Sequence, residues 1–431
     1  MFKLHETTRK RVYRALFFAL ALVPTVAVLA WGVARHLPGR AQQLADELSA
    51  QLSLDVRLSD VSHPRPGVLL LTDLAVADPE TGLPLLKCGS LEVEYSAEQI
   101  TVAASLVEVE AARAELLWRL LDRRLRQSPD RDDRMTITAD PVTWKTPGAS
   151  QTFNEVLVRL GEASTGREAE ISFLLAGAKA DEPTQLRIVR HRKPAPATAV
   201  TLKTGGAALP CSAFAPLVDT TAWLGTRAQF NGYIWVRETP LGWDGELTGE
   251  LSQLDLDALV TGRFPHVMRG TADLRLERAK LIGGRITEAA GALRGTAGEI
   301  SSSLLVAGRK ALHLEGRPNL ESSVAIESYD RLAVDFVIEP EGLTLLGRCG
   351  PTEALLVQNG HALWKQPSQQ PQPVVTLVRA LVPANEVQVP AAGETDLLLR
   401  HLPLAPIQPP LSADGTPTTP HARLRIRPVS P

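Results

Sequence analysis

The feature that most constrains this chain is a two-residue hydrophobic period that keeps returning. Leu54, Val56 and Leu58 alternate with Asp55 and Arg57, and Leu91, Val93 and Tyr95 with Glu92 and Glu94. Leu332, Val334, Phe336 and Ile338 form the clearest stripe, with Arg331 and Asp335 opposite. Side chains along a strand point to alternate faces, so each stretch predicts a strand with one apolar and one polar side. The pattern recurs at intervals of about 10–15 residues, with turn residues between, as in an antiparallel meander. Asp78-Pro79-Glu80-Thr81-Gly82 predicts one turn, and Trp243-Asp244-Gly245 another, at a hairpin. Helical spacing is rarer. Leu44, Leu48 and Leu52 recur every four residues; Leu116, Leu117, Leu120, Leu121 and Leu125 face away from Arg119, Asp122, Arg123, Arg124 and Arg126. Short helices are also expected within Cys211–Trp223 and between Pro373 and Pro383. The reading is a mainly β fold: a long, curved antiparallel sheet, a groove or half-pipe, with a few short helices.

Ala15 to Ala34 holds 20 residues without a charge. As a helix it covers about 30 Å, the thickness of a bilayer's hydrocarbon. Lys3, Arg9, Lys10, Arg11 and Arg14 precede it against Glu6, and Arg35 and His36 follow. The excess of cations before the segment predicts a cytoplasmic N-terminus and an exported remainder. A cleaved signal peptide ending at Gly32-Val33-Ala34 is the alternative, but the apolar run is longer than signal peptides use. The expected organisation is a cytoplasmic tail and signal-anchor over 1–36, a β region with amphipathic helices over 37–127, an elongated antiparallel region over 128–365, and a Pro-rich, partly disordered region over 366–431. The expected location is the inner membrane, single-pass, with the bulk of the chain periplasmic.

Composition excludes several classes. Lys plus Arg is 46 and Asp plus Glu 48, a net of −2 over 431 residues, which is unlike a nucleic-acid binder. Without residues 1–36 the counts are 40 and 47, a net of −7. Cys88, Cys211 and Cys349 read as scattered small hydrophobes, with one disulfide as the other reading. GxGxxG, GxSxG and HExxH are absent, and Gly342–Arg348 (GLTLLGR) lacks the Lys-Ser/Thr of a phosphate loop. Asp255 and Asp257 read as a solvated strand edge rather than an acid–base pair, and His191-Arg192-Lys193 as a loop surface rather than an anion contact. Trp235, Trp243 and Trp364 read as core or interfacial anchors. The basic face of the 116–126 helix is a solvated surface or, more sharply, a dock for an anionic headgroup or partner. No catalytic residue, metal or cofactor is expected.

Leu54–Gly67 (LDVRLSDVSHPRPG) and Val68–Tyr95 (VLLLTDLAVADPETGLPLLKCGSLEVEY) follow the apolar N-terminal segment and a short helix. A second stretch, 243–305, has as its core Met268–Leu305 (MRGTADLRLERAKLIGGRITEAAGALRGTAGEISSSLL), where Gly270, Leu274, Leu276, Gly283, Gly284, Gly295, Gly298 and Ile300 carry the pattern. In residues 15–110 and 243–305 the chain resembles the AsmA-like family of envelope-biogenesis, bridge-like lipid-transfer proteins. The resemblance implies a bent gutter of antiparallel strands with an apolar inner surface. It also implies a role in outer-membrane lipid order, by passing phospholipid along that groove. Leu274, Leu276, Leu332, Val334, Phe336 and Ile338 are the groove candidates. The physical case is separate: exposing one CH₂ to water costs about 0.8 kcal/mol, so a sixteen-carbon tail costs about 12 kcal/mol, and an apolar trough relieves that without specific contacts. The expected partners are the inner membrane, phospholipid and other envelope proteins, with no nucleic acid. The rival readings are an envelope scaffold or secretion-system accessory of the same architecture, and an envelope enzyme with its site in 112–230.

Overall fold

The computed structural model describes residues 10, 16–26, 39–96, 99–126, 134–146, 149–177, 182–192, 195–216, 223–316, 325–350, 353–366, 370–382 and 402. The protein is mainly β, one large and largely antiparallel sheet with few short helices. Residues 16–26 are helical, with a π turn at Phe18–Leu22. The rest of the apolar Ala15–Ala34 span lies outside the described residues, as does almost all of 383–431. Among the described residues, no helix is long and apolar enough to cross a membrane.

Helix α1 (Gly39–Leu52) opens the folded part. Ser53 takes the left-handed conformation (φ 58°) and the Leu54 amide bonds back to the Ser49 carbonyl at 3.3 Å, which ends the helix and turns the chain. β1 (Asp55–Arg57) and β2 (Asp60–Ser62) then share one row against β3 (Val68–Ala77). β4 (Pro84–Tyr95) and β5 (Gln99–Glu110) continue the meander. The β3–β4 turn is the predicted one: the Asp78 carboxylate accepts from the Glu80 amide (3.1 Å) and the Thr81 hydroxyl (2.7 Å).

The meander then breaks. α2 (Ala114–Arg126) crosses the sheet, and β6 (Arg134–Ala139) and β7 (Val142–Thr146) come back parallel to β5 in one shared row. Alternation alone predicts antiparallel neighbours throughout. A parallel neighbour needs a crossover connection, and α2 supplies it.

Antiparallel order resumes with β8 (Ala149–Ala163), β9 (Gly166–Leu175) and β10 (Thr184–His191). β11 (Ala197–Lys203) and β12 (Leu209–Pro210) share a row against β13 (Gln229–Thr239), which pairs with β14 (Gly242–Asp255). A 3₁₀ turn, Cys211–Phe214, occupies part of the expected Cys211–Trp223 helix. The predicted turn at Trp243-Asp244-Gly245 is displaced: these residues lie inside β14, and the reversal is at Thr239–Gly242. Gly242, at φ 127°, supplies the backbone freedom there, while the Asp244 side chain accepts from the Gly283 amide instead of closing its own turn.

β15 (Met268–Arg269) leaves the main sheet, which continues through β16 (Thr271–Ile282) and β17 (Arg285–Gly295). β18 (Gly298–Ser301) and β19 (Ile326–Tyr329) join β15 in a small three-stranded sheet. Between them runs α3 (Ser302–Ala311), N-capped by Ser301. β20 (Arg331–Glu339) pairs with β17 on one side and with β21 (Gly342–Gly347) and β22 (Ala354–Gln358) on the other. β23 (His361–Lys365) closes the sheet. Helix α4 (Val375–Leu381) fills the slot expected between Pro373 and Pro383.

The main sheet has 20 strands. Four rows hold two short strands each, so its width is sixteen rows, about 70 Å at the usual strand spacing. Its main core lies on one face, with a small cluster of Ala333, Cys349 and Ala354 on the other. α1 and α2 cover β1–β5 and reach β9–β10, and α3, α4 and the small sheet cover the last rows. Leu402, the one described residue of 383–431, is buried in that last core.

Candidate functional site

Strand register turns the separate stripes of the sequence into a track. Residues paired across antiparallel or parallel neighbours lie on the same face. Leu69 pairs with Val93, Val93 with Val102, Val102 with Ile137, and Ile137 with Val158. The line continues through Ile171, Leu186, Leu202, Ile234 and Leu247. It ends through Ala279, Ala289, Ile338 and Leu343. Every row from β3 to β21 thus contributes an apolar side chain to one line perpendicular to the strands. The middle of the line, Ile137 to Leu247, is half-buried, whereas Ala279, Ala289, Ile338 and Leu343 are buried.

All six groove candidates lie on this same face. Leu274 pairs through Leu293 to Val334, Leu276 through Gly291 to Phe336, and Leu332 with Gly295. Their surroundings differ. Leu332, Val334 and Ile338 sit in the packed core with α3 and α4, and Phe336 is half-buried against it. Leu274 is half-buried against Phe230 and Leu254. Leu276 is half-buried; the open depression of about 490 Å³ at this point is lined mainly by Asn231, Glu250 and Arg275, which the register places on the opposite face. The residues left without a full cover are the central ones, Ile137, Val158, Ile171, Leu202 and Ile234. Their periodicity was legible, but sequence cannot say which strands a helix will cover.

Helix α2 is the largest cover. Leu116, Leu117 and Leu120 pack against Val76 and Leu85. Trp118, Leu121 and Leu125 pack against Ala169 and Ile188 in β9 and β10. Between α2, the α1–β1 connection and the β3–β4 turn lies a cleft of about 370 Å³, within the size range of small-ligand sites. Its apolar floor is Leu52, Leu54, Leu116 and Leu120, and its rim carries Arg113, Arg119 and Arg123 with Asp78, Glu80 and Glu115. Asp78 is held below the usual carboxylate range by the Thr81 hydroxyl, then the Glu80 amide, with Arg113 nearby at 3.5 Å. Arg119 pairs with Glu115 at 2.5 Å. Arg123 and Glu80 make no ion pair among the described residues, leaving one free cation and one free anion at the rim.

The other residues singled out in the sequence have structural settings. Asp255 caps the Asp257 amide (3.0 Å), and Asp257 faces Arg269 at 3.4 Å. His191 ends β10, and its Nδ1 meets the hydroxyl of Thr165 in the β8–β9 turn at 2.6 Å; Lys193 lies outside the described residues. Trp364 donates to the Leu305 carbonyl at 3.2 Å within the core; Trp243 is exposed at a hairpin tip. Cys88, Cys211 and Cys349 are free and buried, and burial raises the pKa of each thiol, that of Cys211 to about 11. Among the described residues no cluster of His, Cys, Asp and Glu could hold a metal ion. No family model and no curated protein matches the chain.

Proposed function

We propose that this chain is an AsmA-like, membrane-anchored protein of the cell envelope whose sheet forms a half-pipe that holds phospholipid along its apolar track. The observation that carries the reading is the unbroken line from Leu69 to Leu343. A compact domain needs apolar patches only where its layers meet. A line through every row suits a linear apolar guest, for which each sheltered CH₂ is worth about 0.8 kcal/mol. Curvature is supported by α2. A helix is about 10–12 Å across, yet the adjacent residues Leu117 and Trp118 of α2 pack against β3–β4 and β9–β10 respectively, rows roughly 20–30 Å apart along a flat sheet. The cleft beside α2 suits a zwitterionic headgroup, with Arg123 for phosphate and Glu80 for an ammonium group.

The anchor reading draws on residues 16–26. Leu16, Phe17, Phe18, Leu20, Val23 and Val26 are each more than half exposed on their helix. Such a surface is stable in hydrocarbon and costly in water. With the preceding cations, it supports a single pass with the N-terminus in the cytoplasm.

The test is site-specific photo-crosslinking in the full chain, reconstituted in phosphatidylethanolamine-containing vesicles. Photoreactive residues at Ile171 and Ile234 should capture lipid, and one at Glu170, on the opposite face, should not. Equal capture at all three positions, or none at the first two, refutes the reading. A second reading, an envelope scaffold, is favoured by the sealed end of the track, where Leu332, Val334 and Ile338 lie in the core with α3 and α4. The same absence of adducts would select it.

A further inference from the structure

Two neighbouring hairpin tips carry apolar side chains that no described residue covers. Leu241, in the β13–β14 turn, is 84% exposed, and Trp243 beside it 40%. Ile282, at the start of the β16–β17 turn, is 48% exposed. The tips are fused. The Gly284 amide donates to the Trp243 carbonyl at 2.7 Å, and the Gly283 amide to Asp244 Oδ1 at 2.7 Å. A Cβ on Gly242 would lie 2.8 Å from the Gly283 carbonyl carbon, so only glycine lets the two turns approach this closely. The result is one rigid knob presenting a leucine, an isoleucine and a tryptophan outward.

We infer that this knob is a second membrane contact, inserting Leu241, Ile282 and Trp243 into the interfacial layer of a bilayer. Two observations select a bilayer over a protein. The surface is convex, so a protein partner would need a matching pocket, whereas a fluid lipid layer accepts a projecting tip. The order of side chains suits an interface, with the aliphatic Leu241 outermost and the amphipathic indole two residues further along. The charges flanking the tip are mixed, Arg237, Lys280 and Arg285 against Glu238, Asp244, Glu246 and Glu288, so the contact does not depend on anionic lipid. Arg285 is exposed and makes no ion pair among the described residues, and Asp244 is engaged by the Gly283 backbone. Lys280 lies 3.7 Å from Glu288, and Glu238 is taken up by Arg190 at 3.0 Å. The inference rests on the anchor reading only for bringing a bilayer near, and the knob's fate can be read separately.

All three native cysteines are buried with raised pKa values, so an introduced thiol at an exposed turn is the one that labels. The experiment uses full-length L241C, L20C and S164C, each carrying an environment-sensitive fluorophore. The chains are reconstituted in phosphatidylcholine–phosphatidylglycerol vesicles with or without brominated acyl chains. Bromine should quench the L241C probe at least two-fold and leave the S164C probe, on a polar hairpin tip, unchanged. Quenching at L20C with none at L241C overturns the inference and leaves the anchor reading standing; no quenching at either site defeats both. Quenching at L241C alone supports the knob and removes the anchor. A blue shift at L241C that depends on protein concentration and not on bromine overturns the inference in favour of a second copy.

Discussion

Leu125→Ala is the sharpest probe of whether α2 is a fixed part of the core or a detachable lid. Leu125 is 3% exposed and packs against Ala169 and Ile188, which are themselves buried on adjacent strands. Truncation removes about three carbons' worth of burial, near 2 kcal/mol by area. It also leaves a cavity that hydrogen-bonded strands cannot close, and such sites in other cores cost about 2–5 kcal/mol. About 3 kcal/mol is the expected loss, roughly a hundredfold in the local opening equilibrium at 1.4 kcal/mol per factor of ten. Hydrogen exchange reads that equilibrium helix by helix without assuming that so large a chain unfolds in one step. Amides of α2 should exchange about a hundred times faster in the variant, while those of α3, with no shared contacts, keep their rates. Unchanged exchange in α2 would show that Leu125 does not hold the helix down and would remove the basis for treating α2 as part of the core.

A Cβ at Gly249 would lie 2.3 Å from the Asn231 carbonyl oxygen, and Gly249 sits at φ 140°; Gly249→Val should therefore cost more than about 2 kcal/mol, read as a lowered denaturation midpoint, and a wild-type midpoint would refute the close-approach argument. Burial holds His266 below the ordinary imidazole range. The unfolded chain takes that proton near pH 6.5 and the folded chain only at lower pH, so the stability it contributes above about pH 6.5 is lost as pH falls through that window. The drop in melting temperature between pH 7.5 and 5 should be smaller in His266→Asn, and equal drops would exclude the histidine as the cause. The three thiols should resist maleimide in the native chain and react together on unfolding, as counted by intact mass; fast native labelling would contradict their burial.

The fold's texture was legible because alternation is a local property. Leu332 to Ile338 reads as a strand from seven residues alone, and so it is. The Asp78 turn was legible for the same reason, since its carboxylate binds groups two and three residues away. What was not legible depends on distant partners. Asp244-Gly245 carries a turn signal, yet Asp244 is claimed by Gly283 in another hairpin. The parallel row of β6 and β7 depends on which way α2 crosses, and no residue within β5 or β6 records that. The groove candidates stand out in the sequence by the clarity of their own alternation. That property marks a well-formed strand, and it does not distinguish a strand under a helix from one left open.

That last distinction bears directly on function. The clearest stripe belongs to β20 because its face is sealed: a side chain held in a packed core must be apolar at every inward position, so the alternation is strict there. Half-covered rows tolerate mixture, and β8 and β9 read less cleanly, with Glu162 and Arg167 on the face that also carries Val158 and Ile171. A lipid-holding surface should look like the second kind, apolar in the line a tail would follow and polar beyond it. The track meets that condition between Ile137 and Leu247 and fails it at Ile338. On the proposed reading a tail would enter at the half-buried middle of the track, whereas passage out through the last rows would require α3 and α4 to move.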